Sequence, residues 1–339
     1  MRKVQPTISV VMPCRNEKVH IEACLRSVLA QEPLQGGMEI IVFDGMSDDG
    51  TRDILTRLKE EDSRFKVVDN IKQITPCARN LGIRAARGKY IAILDAHAVY
   101  APTYIHTCVD FLEEHPEVCC VGGPITAVGK GIFGCATALA MSSIWGVGNA
   151  KHRFPNYEGY AEGACFPVFR REIFDEVGLF DEELIKNQDD EFNFRIARSG
   201  GKFYLLPRAQ CTYYVRESPR QLFWQYFQYG FYRVRVLKKH RLPIAFRHFI
   251  PVLFFSAMGT LFLLSFMFNG WLKLAGLVLP TVYGSILGLG AVSVAIKKGI
   301  GVGLWFPVAA FILHFAYALG FVWECLGARK VDIAKITRE

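Results

Sequence analysis

An acid and a histidine in the first third of the chain have the types and spacing of a metal-binding pair. Asp95 directly follows the uncharged run 90–94, and His97 lies two residues further on. Side chains two residues apart in an extended segment lie on the same side, so this carboxylate and imidazole can share one divalent cation. A bound cation can neutralise a diphosphate. Because strand ends also carry such residues without any function, the surrounding elements decide between the two interpretations.

Apolar runs alternate with amphipathic segments through the first hundred residues. The runs predict strands at residues 8–12, 39–43, 65–68 and 90–94, of which the last is expected to be buried. Strands that alternate with helices are typical of an α/β fold with a parallel sheet. Ligands bind such sheets at the carboxyl ends of the strands, where Asp44 and Asp95 both lie. Neither a GxGxxG after the first strand nor a P-loop is present, so acids and a metal, not a glycine cradle, would hold a nucleotide.

The C-terminal part carries three long uncharged segments, interrupted only by His314. They cover residues 249–268, 274–296 and 304–323, each close to the ~20 residues that a membrane-spanning helix needs. Basic residues precede the first segment and separate the second from the third, which predicts that both flanks face the cytoplasm. Three spans would put the tail on the opposite side, whereas the basic residues of the tail favour the cytoplasm. The sequence leaves that side open.

Composition narrows the choice of partners. The 339 residues carry a net charge of +8, and the basic residues just before the first apolar segment account for much of it. Such a cluster suits an anionic lipid surface better than nucleic acid. The ten cysteines include no CxxC pair or zinc-ligand spacing, as expected of buried thiols in a reducing compartment. The first residues lack the apolar core of a signal peptide, so we expect no export of this region.

Four successive segments resemble the motifs of family 2 glycosyltransferases. They are residues 10–17 (VVMPCRNE), 42–51 (VFDGMSDDGT), 78–82 (ARNLG) and 94–97 (LDAH). Their order, spacing and context agree over roughly the first two-thirds of the chain. Within the family the chain is similar to membrane-attached bacterial exopolysaccharide transferases of the succinoglycan type, which also use Asp-Ala-His. The resemblance implies a GT-A fold, a Rossmann-like nucleotide-sugar domain, followed by C-terminal interfacial and transmembrane helices.

The same resemblance implies residues for the nucleotide sugar. Pro13 and Glu17 would line the uridine pocket, and Asp44 would hydrogen-bond the uracil or ribose. Arg79 would lie near the diphosphate, where a guanidinium is an apt partner for phosphate oxygens. Gly163 would belong to the glycine loop beside the transferred sugar. A plain turn between a strand and a helix is the alternative for that loop.

The resemblance also assigns the metal. Asp95 and His97 stand at the DxD motif, with histidine in place of the second aspartate. Imidazole suits Mn²⁺ better than Mg²⁺, which prefers oxygen ligands, so Mn²⁺ is expected and Mg²⁺ is the alternative. Polypeptide N-acetylgalactosaminyltransferases have Asp-x-His and a further C-terminal histidine on the metal. His240 is the candidate here, although a basic cluster at the membrane surface explains it equally well.

A cluster of acids at residues 188–191 resembles the family's Glu-Asp motif. By that register Asp189 is the catalytic base, with Gln188 in place of the glutamate and Arg195 at the matching arginine. An acceptor hydroxyl must lose its proton as it attacks, and a carboxylate can take it. One base with direct displacement implies inversion at the anomeric carbon. The alternative is that these acids only stabilise the start of a helix.

Two further stretches lie between the site and the membrane. Residues 132–147 are apolar and rich in small side chains; we interpret them as core, with a lipid-facing helix near the acceptor as the alternative. Residues 221–229 are aromatic and lead into basic residues, which is typical of an interfacial helix. The Q/RxxRW motif of processive family members is incomplete at Trp224 because the arginine is missing. A single sugar transfer is therefore expected.

These interpretations combine into one prediction. The chain is expected on the inner (cytoplasmic) membrane, with residues 1–215 as a cytosolic GT-A domain. Residues 216–248 form interfacial helices, residues 249–326 form a membrane region of about three helices, and residues 327–339 form a tail. The enzyme moves one sugar from a UDP-sugar to a polyprenyl-diphosphate-linked acceptor, with membrane lipid and a polysaccharide-assembly complex as partners and no nucleic acid. Transfer to polyprenyl phosphate itself is the alternative. A non-catalytic subunit that binds sugar nucleotides is the third. The sugar and the linkage stay open.

Overall fold

The computed structural model describes residues 5–240, 248–267 and 271–327, and the basic residues at 241 and 247 and the tail from 328 lie outside these ranges. The chain divides into one compact unit of residues 1–126 and 151–214 and another of residues 127–150 and 215–339. The strands are β1 Ile8–Cys14, β2 Met38–Asp44, β3 Phe65–Asp69, β4 Tyr90–Ile93, β5 Ala98–Tyr100, β6 Val118–Gly123, β7 Ile125–Val128, β8 Gly159–Ala161, β9 Cys165–Arg170, β10 Lys202–Leu205 and β11 Cys211–Tyr214.

Helices follow the strands in the alternation that the sequence predicted. Those of the first unit are α1 Ile21–Leu29, α2 Thr51–Glu61, α3 Thr75–Ala85, α4 Tyr104–Glu114, α7 Glu172–Val177 and α8 Gln188–Arg198. Those of the second unit are α5 Gly131–Met141, α6 Ile144–Val147, α9 Pro219–His240, α10 Ile250–Met267, α11 Trp271–Lys298 and α12 Ile300–Cys325.

An eight-stranded mixed sheet forms the centre of the first unit, in the order β3-β2-β1-β4-β9-β6-β10-β8. The strands from β3 to β4 are parallel, and β9 runs antiparallel between β4 and β6. The side chains of β1, β2 and β4 are almost wholly buried because helices cover both faces of the sheet, whereas the edge strand β3 is largely exposed after Phe65. The α/β prediction is confirmed. The predicted fourth strand is shorter than expected, since β4 ends at Ile93, two residues before Asp95.

A buried carboxylate fixes the amino-terminal ends of the central strands. Glu39 on β2 accepts hydrogen bonds from the Ser9 hydroxyl at 2.7 Å and from the amide and guanidinium of Arg87 at 2.8–3.1 Å. Burial raises the pKa of the Glu39 carboxyl, but these hydrogen bonds outweigh burial and hold that pKa below its ordinary value. The network ties the end of α3 to β1 and β2.

Three helices of the second unit, within the described ranges, are long and apolar enough to cross a membrane: Ile250–Met267, Gly276–Lys298 and Ile300–Cys325. They agree with the three segments predicted from sequence. Helix α9 packs along α12 through glycines: a Cβ atom on Gly230 would lie 2.0 Å from the Tyr317 carbonyl oxygen, and one on Gly320 the same distance from that of Phe227. Only glycine permits so close an approach of two helix backbones.

The stretch 132–147, interpreted above as core, forms α5 and α6 in the second unit. Helix α5 packs on α12, and the ring of Phe133 contacts that of Trp305 at a centroid distance of 5.5 Å. One side of the stretch is buried, whereas Ile144 and Trp145 are exposed. The buried side therefore confirms the prediction of core, within the second unit.

Candidate active site

The carboxyl ends of β1 and β4 bring His97, the second residue of the predicted metal pair, next to Glu17. The His97 Nδ1 atom lies 3.0 Å from the Glu17 Oε1 atom, and both side chains are about three-quarters buried. A carboxylate only accepts, so Nδ1 carries the proton and Nε2 is the ring nitrogen that bears the lone pair. A carboxylate behind an imidazole also makes the ring a stronger metal ligand. Glu17, predicted to line the uridine pocket, thus also orients His97.

Asp95 is held by its backbone and leaves its carboxylate accessible. Its amide donates to the Tyr100 hydroxyl at 3.0 Å, which in turn donates to the Asp95 carbonyl oxygen at 3.1 Å. Its side chain is 32% exposed, and its Oδ1 atom lies 3.6 Å from the Arg79 Nη2 atom. That guanidinium lies over the ring of Phe180 at 5.2 Å. Helix α3 therefore sets a positive charge beside the predicted metal ligand.

Arg79 also has a donor to spare. The residue is 8% exposed, and its Nε atom has no hydrogen-bond partner in the described part of the chain. A buried donor that lacks an acceptor costs free energy unless a ligand satisfies it. Phosphate oxygens are suited to both functions of this side chain, the positive charge and the unused N–H.

Asp44 at the end of β2 is fully buried. Its carboxylate accepts from the Ser47 amide at 3.1 Å and hydroxyl at 2.5 Å, and Arg52 Nη1 lies 3.2 Å away. Arg52 also pairs with Asp69 at 2.7 Å. Asp44 therefore organises the loop after β2, and its predicted contact to uracil or ribose stays a prediction. Pro13, the other residue predicted for that pocket, is half-buried in β1 opposite Phe43.

The loops at this edge store backbone strain. Asn16, Met46 and Gln73 follow β1, β2 and β3 respectively, and each has φ between 53° and 59° although none is glycine. A left-handed conformation costs a non-glycine residue about 1–2 kcal/mol. Such residues cluster at ligand sites, where the surrounding structure imposes them. Their occurrence after three neighbouring strands marks this edge as the functional one.

Asn70 is a candidate that the sequence analysis missed. It is 2% exposed, its amide donates to the Asp44 carbonyl oxygen at 2.7 Å and its Nδ2 to the Ile74 carbonyl oxygen at 3.0 Å. Its Oδ1 atom has no donor among the described residues, so it is a buried acceptor at the predicted nucleoside edge. The available signal was a polar residue directly after β3, the pattern already used for Asp44 and Asp95.

Helix α8 begins with the predicted catalytic motif. Asp189 is exposed and accepts the Asp190 amide hydrogen at 3.0 Å. Glu191, fully buried, pairs with Arg195 at 2.9 Å, and Arg195 donates to backbone carbonyls before α8. Glu191 and Arg195 thus fix the helix, while Asp189 stays accessible. Gln188 is 6% exposed and its Oε1 atom has no donor within the described ranges.

The glycine loop packs against this helix. A Cβ atom on Gly163 would lie 2.3 Å from the Asn193 Nδ2 atom, so glycine permits the close approach. Two residues on, burial raises the pKa of the Cys165 thiol to about 12; Arg153 opposes this increase, and Asp189 and Asp95 add to it. The charges of the predicted base and of the predicted metal ligand therefore both raise the pKa of this thiol.

The donor set fits a cation that completes its coordination with a ligand. Asp95 and His97 supply an oxygen and a nitrogen, and the described residues contain no group of three His, Cys, Asp or Glu side chains that could hold a metal alone. Metals that act on diphosphates use few protein ligands because phosphate oxygens supply the others. His240 ends α9 in the second unit, and its ligation stays a prediction.

Comparison with known proteins decides the family. The family model described as "Glycosyl transferase family 2" matches residues 9–178. The chain belongs to this glycosyltransferase family. It is 32% identical to "Succinoglycan biosynthesis protein ExoA" of Rhizobium meliloti (strain 1021), over 95% of this chain and 96% of that protein. The family and the subfamily resemblance predicted from the motifs are confirmed.

Two further similarities extend over nearly the whole chain of this family 2 member. One is to "Dolichyl N-acetyl-alpha-D-glucosaminyl phosphate 3-beta-D-2,3-diacetamido-2,3-dideoxy-beta-D-glucuronosyltransferase" of Methanococcus voltae, 26% identical over 93% of this chain and 95% of that protein. The other is to the solved "Mannosyltransferase PcManGT from Pyrobaculum calidifontis in complex with GDP-Man and Mn2+", at TM-score 0.60 and 19% identity, covering 96% and 88% of the two chains. The latter confirms the predicted GT-A fold.

Proposed function

We propose that this family 2 glycosyltransferase moves one sugar from a UDP-sugar to a polyprenyl-diphosphate-linked acceptor, with inversion, in exopolysaccharide or glycan assembly. The observation that carries the proposal is the approach of Arg79 to Asp95 at 3.6 Å, two residues before His97, whose imidazole lies 3.0 Å from Glu17. In this division residues 1–215 carry the chemistry, 216–248 lie at the membrane surface and 249–326 anchor the chain.

In this reaction the residues divide between the leaving group and the acceptor. Asp95 and His97 would hold Mn²⁺, which when bound neutralises the charge that develops on the departing nucleoside diphosphate. Arg79 donates to the same phosphate oxygens through its spare Nε–H. The nucleoside lies over β1 and β2, within reach of Pro13, Asp44 and the unsatisfied Asn70 oxygen. Gly163 lets the loop beside the sugar pack closely against Asn193 of α8.

Asp189 is the proposed base. It is the exposed acid of its cluster, whereas Glu191 is fully buried and paired. Asp189 accepts the proton of the acceptor hydroxyl as that oxygen attacks the anomeric carbon from the face opposite the leaving diphosphate. A single displacement of this kind inverts the configuration.

The membrane helices support a lipid-linked acceptor. The Methanococcus relative is named for a dolichyl-linked sugar acceptor and the Rhizobium relative for succinoglycan biosynthesis. An acceptor on a polyprenyl chain remains in the membrane, so an enzyme with its own spans meets it by diffusion in two dimensions. The basic residues flanking the first span support a catalytic unit on the cytosolic face of the inner membrane, in contact with a polysaccharide-assembly complex.

The test is nucleotide release by the full chain in detergent. UDP-sugars and GDP-mannose are compared as donors, and polyprenyl-diphosphate-sugar and polyprenyl phosphate as acceptors, with Mn²⁺, Mg²⁺ or a chelator. We expect turnover with one UDP-sugar, Mn²⁺ and the diphosphate-linked acceptor. Asp189→Asn should abolish turnover with donor binding retained, whereas the matched Asp190→Asn should keep most of it. Turnover on bare polyprenyl phosphate would instead support the alternative acceptor, and release from GDP-mannose would overturn the donor.

A further inference from the structure

The segment between β7 and β8 has the composition of a membrane element but not the length of a span. Residues 131–150 contain no charged side chain, and lysines stand directly before and after them, at 130 and 151. Helix α5 has 11 residues, about 16 Å at 1.5 Å per residue, roughly half of the ~30 Å hydrocarbon layer. A segment of this length can enter a bilayer only if it turns and leaves on the same side.

Within the second unit this segment lies along α12, a helix long and apolar enough to cross a membrane. Near its start, Ile132 is 3.6 Å from the Cβ position of Gly301. At its far end, the Cβ position of Gly146 is 3.2 Å from Leu313 Cδ1. The segment therefore follows α12 over 13 positions, about 18 Å of helix and the depth of roughly half a bilayer.

The short helix α6 presents a backbone polar group to α12, and a histidine satisfies it. His314 Nε2 lies 3.1 Å from the Gly146 carbonyl oxygen, and His314 Nδ1 lies 2.8 Å from the Tyr283 hydroxyl. The carbonyl only accepts, so Nε2 donates to it and the Tyr283 hydroxyl donates to Nδ1. Irregular backbone is tolerated at membrane depth only where protein groups satisfy it, and ionisable residues there are costly. This arrangement explains why α12 carries a histidine.

The segment exposes apolar side chains, and so does α12. Ile132, Ile144 and Trp145 are 55%, 64% and 40% exposed, and Leu304 and Val308 of α12 are 70% and 39% exposed. Exposure of this much apolar surface to water is unfavourable in free energy. The flanking lysines, in turn, suit anionic headgroups at the layer where the segment enters and leaves.

We propose that residues 131–150 form a re-entrant hairpin whose outer side contacts phospholipid acyl chains and whose tip is held at depth by the His314 hydrogen bond to Gly146. The hairpin is a membrane contact additional to the three spans. It is independent of the reaction proposed above, because it rests on packing inside the second unit alone.

The test is photo-crosslinking of the full chain in phospholipid vesicles. The photoreactive amino acid p-benzoylphenylalanine replaces Ile144 in one variant, Leu263 of α10 in a second and Val19 in a third, which are 64%, 66% and 80% exposed. We expect lipid adducts at Ile144 to match those at Leu263 and to exceed those at Val19 several times. Adducts at Ile144 no greater than at Val19, or crosslinks to a second copy of the chain in their place, would overturn the proposal.

The histidine is tested in the same variants. His314→Leu should reduce the lipid adducts at Ile144 towards the Val19 level and leave those at Leu263 unchanged, because only the hairpin loses its donor. Tyr283→Phe and His314→Gln should keep the adducts, since both retain an N–H for Gly146. If His314→Leu disturbs folding, the adducts at Leu263 fall as well, and His314→Gln then decides: a loss at Ile144 in that variant contradicts the hydrogen-bond role.

Discussion

The contact between Glu17 and His97 gives the sharpest test of the site. Glu17→Gln keeps the size of the side chain and an acceptor oxygen but removes the charge. A hydrogen bond to a charged group contributes about 1.5–3 kcal/mol and a neutral one about 0.5–1.5 kcal/mol, a difference of roughly 1–1.5 kcal/mol. With both side chains about three-quarters buried, little of this is screened. We expect Mn²⁺ affinity to fall about tenfold in Glu17→Gln and up to about a hundredfold in Glu17→Ala.

The assay is a titration of free Mn²⁺ by electron paramagnetic resonance with UDP present, which needs no acceptor. Glu22→Gln is the matched control. Glu22 lies in the first turn of α1, its side chain is 38% exposed, and it pairs with Arg26 and Arg57. A shift in Glu17→Gln no larger than in the control would refute the orienting role. If Glu17→Ala weakens UDP binding without changing the affinity for Mn²⁺, the predicted uridine contact alone accounts for the residue.

Three further changes test the site and the scaffold. Arg79→Lys removes the planar guanidinium and should raise KM for the donor about tenfold or more, whereas Arg84→Lys on the exposed side of α3 should leave it unchanged. The pKa of Glu39 is lower in the folded than in the unfolded protein. Its carboxylate therefore stabilises the fold above the ordinary pKa of about 4.5, and this stabilisation is lost as the pH falls below that value. Glu39→Gln should lower the melting temperature at pH 7 and make it depend less on acid pH. Gly82→Ala would put a Cβ atom 2.1 Å from Val11 Cγ1, which should destabilise the protein by about 1–3 kcal/mol and be partly relieved by Val11→Ala in thermal unfolding.

The local pattern of apolar and polar residues was sufficient to predict the strands of the sheet and the membrane-length helices. The runs at 8–12, 39–43, 65–68 and 90–94 are β-rich and bounded by polar loops, and parallel strands need little else to be recognised. The three membrane segments were equally accessible because length and lack of charge alone define them. The family motifs supplied the GT-A fold and the candidate residues, since each motif lies within a single loop or strand end.

Contacts between distant parts of the chain were beyond the sequence. Glu17 and His97 are 80 residues apart, and Gly146 and His314 are 168 apart. No periodicity encodes such a pairing, because it depends on the strand order and on how helices pack. The antiparallel insertion of β9 between β4 and β6 is of the same kind. The stretch 132–147 is an example: its apolar pattern predicted burial but could not name α12 as the helix against which it packs.

By itself, the sequence determined which residues could do chemistry, that they end strands of an α/β sheet, and that the chain carries three membrane-length helices. Tertiary structure alone decided which of those residues touch and which are already satisfied, as Asp44 is. It also decided which keep an atom without a hydrogen-bond partner among the described residues, as Arg79 and Asn70 do. The physical reason is that side-chain type is a local property, whereas burial and hydrogen-bond satisfaction depend on every element that packs around the side chain.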